Sequence, residues 1–245
     1  MTDTKFKFYK VGGYVRDKLL GTIAKDIDYT VVMENYSGDV LTAYELLVDH
    51  LEKSEYTIFL KTPECYTIRA KNKKINETAD FVLARKEIGY DINSRKPLVT
   101  IGTLRDDLIR RDFTVNALAI DSETGAIIDV CGGINDLENR ILKTPMDPEI
   151  TLMDDPLRII RGFRFSITKN LALDNNFITA LHNDKIWIKF LNVVSTERIC
   201  EELDKMFKFD TIKTLEILHK LYEINPLSRK ILFKNIIFKP IVKHN

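Results

Sequence analysis

The hydrophobic spacing of this 245-residue chain changes character near residue 134, and that change limits the folds open to it. Before it, short alternating or β-branched runs are interleaved with helical stretches. "FKFYKV", "IDYTVVM", "YTIFLK", "CYTIRA" and "ADFVLARKE" read as strands, as does "TVNALAID" after a helical turn. "YVRDKLLG" reads as a short helix closed by Gly21, and residues 39–53 read as a longer one. The turn "ETGA" followed by "IIDV" predicts a hairpin, and "EIGYDINSRKPLVTIGT" reads as a polar loop. Beyond that point only helical spacing remains, with helices expected over 135–140, 154–167, 174–183, 196–208 and 211–222. A chain ordered in this way is α+β: a mixed N-terminal unit followed by an all-helical one.

Composition narrows the class. An apolar fraction of 44% supports a core, and 30% charged residues fits a soluble protein. No stretch approaches the roughly 20 apolar residues of a membrane span. The start, "MTDTKFKFYKV", has neither an apolar signal core nor the acid-free, Arg-rich character of a transit peptide. Cys65, Cys131 and Cys200 stand far apart without metal-ligand spacing, which points to a reducing compartment and a cytoplasmic protein. Residues 1–139 carry 19 basic and 23 acidic groups, whereas residues 140–245 carry 18 and 13. The last twenty residues hold five basic groups, no acidic one, and Phe233 and Phe238 between them. Such an end reads either as a contact for a polyanion or as an ordinary basic tail.

Three clusters carry chemistry. In "KDIDYTVV", Asp26 and Asp28 lie two apart at the start of a strand and so share a face. Alone, the pair also reads as a solvated strand start. Upstream, Gly12 and Gly13 follow a strand and open a helix carrying Arg16. A glycine turn, a cation and a carboxylate pair within seventeen residues form the surroundings Mg²⁺ takes together with substrate phosphates. A cation between the aspartates would explain how they tolerate each other, and two such ions can organise attack by a hydroxyl. In "RRDFTVNA", Arg110 and Arg111 suit phosphate oxygens, and Asp112 suits a ribose hydroxyl or a surface ion pair. In "DDPLRIIRGFRF", Asp155, Arg158, Arg161 and Arg164 recur at three-residue steps, with Pro156 in the first helical turn. That ridge reads as intrahelical ion pairing or, given the apolar residues around it, as buried arginines needing partners.

In this order the clusters resemble the class II CCA-adding tRNA nucleotidyltransferases and the related bacterial poly(A) polymerases, both of the polymerase-β-like nucleotidyltransferase superfamily. The matching stretches are "VGGYVRDKLLG", "KDIDYTVV", "FVLARKE", "DLIRRDFTVNALAID", "IIDVCGGINDLENRIL", "DDPLRIIRGFRF" and "STERICEELDKM", spanning roughly residues 8–222. The resemblance implies a nucleotidyltransferase head over residues 1–139, with a mixed, mainly antiparallel sheet. It further implies a helical neck over 140–225, leaving 226–245 as a basic tail.

The resemblance also implies roles. Asp26 and Asp28 would bind Mg²⁺ and organise attack of a tRNA 3′-hydroxyl on CTP or ATP, with pyrophosphate leaving. Gly13 and Arg16 would hold the triphosphate, Arg111 the nucleotide and Asp112 the ribose. Asp155 and Arg158 would read the base, with Arg161 and Arg164 nearby, and Glu197, Arg198 and Glu202 would buttress them. The donor–acceptor logic agrees. Cytosine and adenine each present an amine donor beside a ring-nitrogen acceptor, and guanine and uracil invert that pair, so one Asp with one Arg accepts C and A. The base-reading motif here begins Asp154-Asp155 instead of Glu-Asp, and the chain stops short of the further helical domains usual in the family. Addition of A alone or of poly(A), and a non-catalytic RNA- or nucleotide-binding role, stand beside CCA addition as expectations.

Overall fold

The computed structural model describes residues 4–23, 27–90, 97–233 and 236. The chain divides into two compact units, residues 1–139 with 143–146, and residues 140–142 with 147–245.

The first unit is built on a seven-stranded sheet. β1 (Lys5–Val11), β2 (Ile27–Glu34), β3 (Tyr56–Thr62), β4 (Thr67–Asn72), β5 (Thr78–Leu83), β8 (Leu118–Asp121) and β9 (Ile127–Asp129) pair in the order β3-β4-β5-β2-β1-β8-β9. Only the β2–β5 pairing is parallel. Strand parity assigns the two faces. Val31, Met33, Ile68, Ala70, Ala79, Phe81 and Leu83 are buried under α2 (Val40–Glu52), which Asp39 caps by accepting from the Thr42 amide at 2.9 Å. The opposite face carries Tyr9, Val11 and Ala119, packed with Leu108 of α3 (Leu104–Ile109), and it also carries Asp28 and Thr30.

The stretch expected as a polar loop after β5 is instead an antiparallel hairpin, β6 (Arg85–Tyr90) with β7 (Pro97–Ile101). Its β-branched "VTI" packs Val99 and Ile101 against the sheet core, a tertiary gain that the flanking Gly and Pro conceal in the sequence. The helix α4 (Gly133–Glu138) follows the β8–β9 hairpin. Asp129 fixes its start by accepting from the amides of Cys131, Gly133 and Ile134 at 2.9–3.1 Å. A Cβ at Gly133 would stand 2.2 Å from the Thr114 carbonyl oxygen, so the backbones approach there only because the residue is glycine.

The second unit is helical apart from a two-residue parallel pairing of β10 (Ile141–Leu142) with β11 (Ala172–Leu173). Its helices are α5 (Pro148–Asp154), α6 (Arg158–Lys169), α7 (Asn175–Ala180), α8 (Asp184–Val193), α9 (Thr196–Phe209), α10 (Thr211–Ile224) and α11 (Leu227–Leu232). Asp147, Asp174, Asn183 and Asp210 each cap a helix through a side-chain oxygen. Trp187, Phe177, Phe190 and Leu203 are fully buried.

Three expectations change here. The helix expected over 154–167 starts only at Arg158, and Asp154 ends the separate α5, because Pro156 disfavours helical backbone at Asp155, which is extended (φ −138°, ψ 100°). The helix expected over 174–183 ends at Ala180, and Asn183 starts α8, which the spacing did not reveal. The segment expected as a tail from residue 226 begins with α11, whose Ser228, Ile231 and Leu232 are buried.

Candidate nucleotide site

Antiparallel pairing of β1 and β2 sets Asp28 directly opposite Val11, the residue before Gly12. Gly12 has φ +68°, a backbone that side-chain-bearing residues rarely adopt. A Cβ there would lie 3.1 Å from Arg111 Nη1 and 4.0 Å from Asp28 Oδ2. The missing side chain therefore leaves room between a guanidinium and a carboxylate. At the next residue, Gly13, a Cβ would lie 3.4 Å from Arg16 Nη2.

Arg16 sits on α1 (Gly13–Leu19) and is only 5% exposed. It donates through Nε to Asp17 at 2.8 Å and through Nη1 to Asn116 Oδ1 at 2.5 Å. Asn116 Nδ2 in turn donates to Asp112 Oδ1 at 2.9 Å, the oxygen that also accepts from the Phe113 amide. The expected phosphate-binding arginine and ribose-reading aspartate are thus joined through Asn116, four residues beyond Asp112.

Arg111 is positioned differently. A capping box between Thr103 and Asp106 starts α3, and the helix turns Asp107 and Leu108 inward. Asp107 is fully buried. Its carboxylate accepts from Arg110, from Arg111 Nη2 at 3.0 Å and from the Thr30 hydroxyl at 2.7 Å. Burial alone would push this carboxyl up, but the Arg110 and Arg111 charges and the Thr30 hydrogen bond outweigh it and hold it well below the usual carboxylate range. Arg110 has Glu87 at 3.4 Å as a second acidic neighbour.

Two residues here escaped the sequence reading. Asp107 lies three and four positions before Arg110 and Arg111, a spacing that was available. Asp80 had no local signal. The parallel β2–β5 register sets it beside Asp28 on the same face, and Arg69 holds it through two 2.6 Å bonds. Asp26 lies outside the described residues. Among those described, no three His, Cys, Asp or Glu side chains gather as a metal cluster.

In the second unit, Asp155 and Arg158 do not share a helical face, because Asp155 precedes α6. Asp155 Oδ1 accepts from the Leu157 amide at 3.2 Å, and its Oδ2 accepts from Arg198 Nη2 at 3.0 Å. Arg158 Nη1 donates to the Thr151 carbonyl at 3.1 Å. Arg161 lies 3.8 Å from Glu202, and Arg164 is bonded to Glu202 while its guanidinium covers the Phe165 ring at 4.0 Å. Glu202 is 4% exposed and also faces Lys205 at 3.4 Å. Glu197 is exposed in the first turn of α9, and bonds to its own amide and to Ser195 lower its pKa.

Residues 8–143 match the family described as the poly A polymerase head domain. The chain is 36% identical over 225 residues to the Schizosaccharomyces pombe tRNA nucleotidyltransferase cca2, a match covering 87% of this chain and 46% of that protein. It is 33% identical to the CCA-adding enzyme of Streptococcus gordonii, over 82% of this chain and 46% of the relative. Among solved structures, the Bacillus stearothermophilus CCA-adding enzyme in complex with CTP superimposes with a TM-score of 0.71 and 27% identity, over 88% of this chain and 48% of that one. A tRNA nucleotidyltransferase complexed with a primer tRNA and an incoming ATP analog gives 0.68 and 26%, over 96% and 61%. The chain spans less than half the length of these two curated relatives.

Proposed function

Because the chain belongs to the poly(A) polymerase head-domain family, we propose that it transfers CMP and AMP from CTP and ATP to the 3′ end of tRNA without a nucleic-acid template. The observation that carries this reading is the Gly12 turn, where a missing side chain leaves space between Arg111 Nη1 and Asp28 Oδ2.

In this reading the tRNA 3′-hydroxyl oxygen forms a bond to the α-phosphorus of the nucleotide. The bond from that phosphorus to the bridging oxygen breaks, pyrophosphate leaves and the hydroxyl proton is lost. Arg111 binds phosphate oxygens at the turn, with Gly13 and Arg16 flanking it. Asp112 accepts from the ribose, its carboxylate oriented by Asn116 and the Phe113 amide. Asp28, with Asp26, would hold Mg²⁺. The fit is one of donor chemistry, since hard carboxylate oxygens beside a phosphate seat are what Mg²⁺ takes. Bound there, the metal would activate the hydroxyl and neutralise charge on the phosphates. In the helical unit Asp155 accepts from the base amine and Arg158 donates to the ring nitrogen, with Arg161 and Arg164 as neighbours. Arg198, bonded to Asp155, orients the acceptor. Domain limits of 1–139 for the head and 140–225 for the neck, with α11 opening the basic end 226–245, and a cytoplasmic setting complete the proposal.

The family description favours one second reading, addition of A alone. Incubation of the protein and a tRNA transcript lacking its CCA end with each NTP in turn tests the primary one. Incorporation of CTP on that transcript, and of ATP once C has been added, is expected. Acceptance of ATP alone would replace the primary reading by the second, and acceptance of none would end both.

A further inference from the structure

We propose that Asp107 is a positioning residue of the nucleotide site, the anchor that turns the Arg111 guanidinium toward the phosphates. The inference rests on the proposed nucleotidyl transfer and deepens it.

Asp107 divides its carboxylate. Oδ1 serves Arg110, and Oδ2 accepts from both the Thr30 hydroxyl at 2.7 Å and Arg111 Nη2 at 3.0 Å. Thr30 Oγ1 accepts in turn from Arg111 Nη2 at 3.1 Å. Thr30 is itself fully buried and stands two residues after Asp28 on the same face of β2. Arg111 is therefore tied by one nitrogen to the strand that carries Asp28. Its other terminal nitrogen, Nη1, stands at the Gly12 turn, 3.1 Å from where a Cβ would be. Its Nε is buried and has no hydrogen-bond partner among the described residues.

Charge points the same way. Arg85, Arg110 and Arg111 meet Glu87 and Asp107, three cations against two anions, a surplus of one positive charge. Arg110 pairs with both Glu87 and Asp107, and Arg111 pairs with Asp107. Of these arginines, Arg111 is the one that reaches the Gly12 turn. A purely structural anchor would need only Arg110. Commitment of the second oxygen to Arg111 and Thr30 sets the direction of the guanidinium.

The test is a double-mutant cycle on the full chain with Asp107→Asn, Arg111→Lys and both changes together, read as KM and kcat for CTP and ATP. Loss of one charged hydrogen bond should raise KM about tenfold in Asp107→Asn with a smaller change in kcat. In the Arg111→Lys background Asp107→Asn should add nothing further. Independent, additive rises in KM would overturn the proposal. So would a fall in kcat at unchanged KM, which is what a merely structural role gives through a smaller folded fraction. Should Asp107→Asn lose its fold by circular dichroism, Thr30→Val perturbs the same anchor and is expected to give a smaller rise in KM that vanishes with Arg111→Lys. Calorimetric titration with inorganic triphosphate reads the anchor without turnover, and equal affinities for parent and Asp107→Asn would overturn it. A parent that binds triphosphate but incorporates no nucleotide would instead overturn the proposed function.

Discussion

Asp107 in the first unit takes both of its arginines from its own stretch of chain, three and four residues on, and adds a hydroxyl from β2. Glu202 in the second takes Arg161 and Arg164 from another helix, Arg164 lying 38 residues away in sequence. Both carboxylates are almost out of water, at 0% and 4% exposure. The difference lies in what each fastens. Asp107 orients Arg111 against the sheet, so its removal should be felt in ligand affinity as well as in stability. Glu202 holds α6 to α9, so its removal should be felt in the fold. In each unit proposed contacts of substrate sit one bond outward from such an anchor: Arg111 from Asp107, and Arg161 and Arg164 from Glu202.

Four measurements press on that contrast. The largest effect belongs to neither anchor. Asp28→Ala should abolish incorporation while circular dichroism stays unchanged, and near-normal turnover in Mg²⁺ would remove Asp28 from the metal site. Glu202→Ala should come next, leaving two arginines without their buried counter-charge at a cost of about 3 kcal/mol in urea unfolding. A cost below about 1 kcal/mol would show the helical anchor to be dispensable and the contrast false.

Arg158→Ala should then weaken discrimination for C and A over G and U by about 1–3 kcal/mol, measured by incorporation of each NTP. Arg198→Ala should do the same more weakly, by loosening Asp155. Equal slowing with all four NTPs would make Arg158 structural. The smallest effect is that of acid on the first anchor. The pKa of Asp107 is lowered from 3.8 on folding, so its stabilisation is complete at neutral pH and is lost only as pH falls through and below the ordinary carboxylate range. The stability gap between the parent and Asp107→Asn should accordingly stay constant from about pH 8 to 5 and narrow below that. Narrowing above pH 6 would contradict the depressed pKa.

The α+β order of the chain was legible because it depends on short-range spacing. β1, β2, α2, α9 and α10 arise where the apolar period predicts them, within a few residues. What stayed hidden depends on pairing between distant segments. Asp80 becomes Asp28's neighbour only through the parallel β2–β5 register, which nothing local encodes. The β6–β7 hairpin gains its place by packing Val99 and Ile101 on the sheet. The i,i+3 step from Asp155 to Arg158 suggested one helical face, yet Pro156 bends the backbone at Asp155 and Arg198 takes the carboxylate instead. A proline two residues into the expected helix was the available warning.

The proposed activity is addition of C and then A to tRNA from a protein template. Sequencing of the 3′ ends made when the protein meets a tRNA transcript ending before CCA, with all four NTPs present together, tests it most directly. Products that stop at CCA are expected, with G and U rare at every added position. Runs of A of variable length, added equally to unrelated RNA, would contradict it.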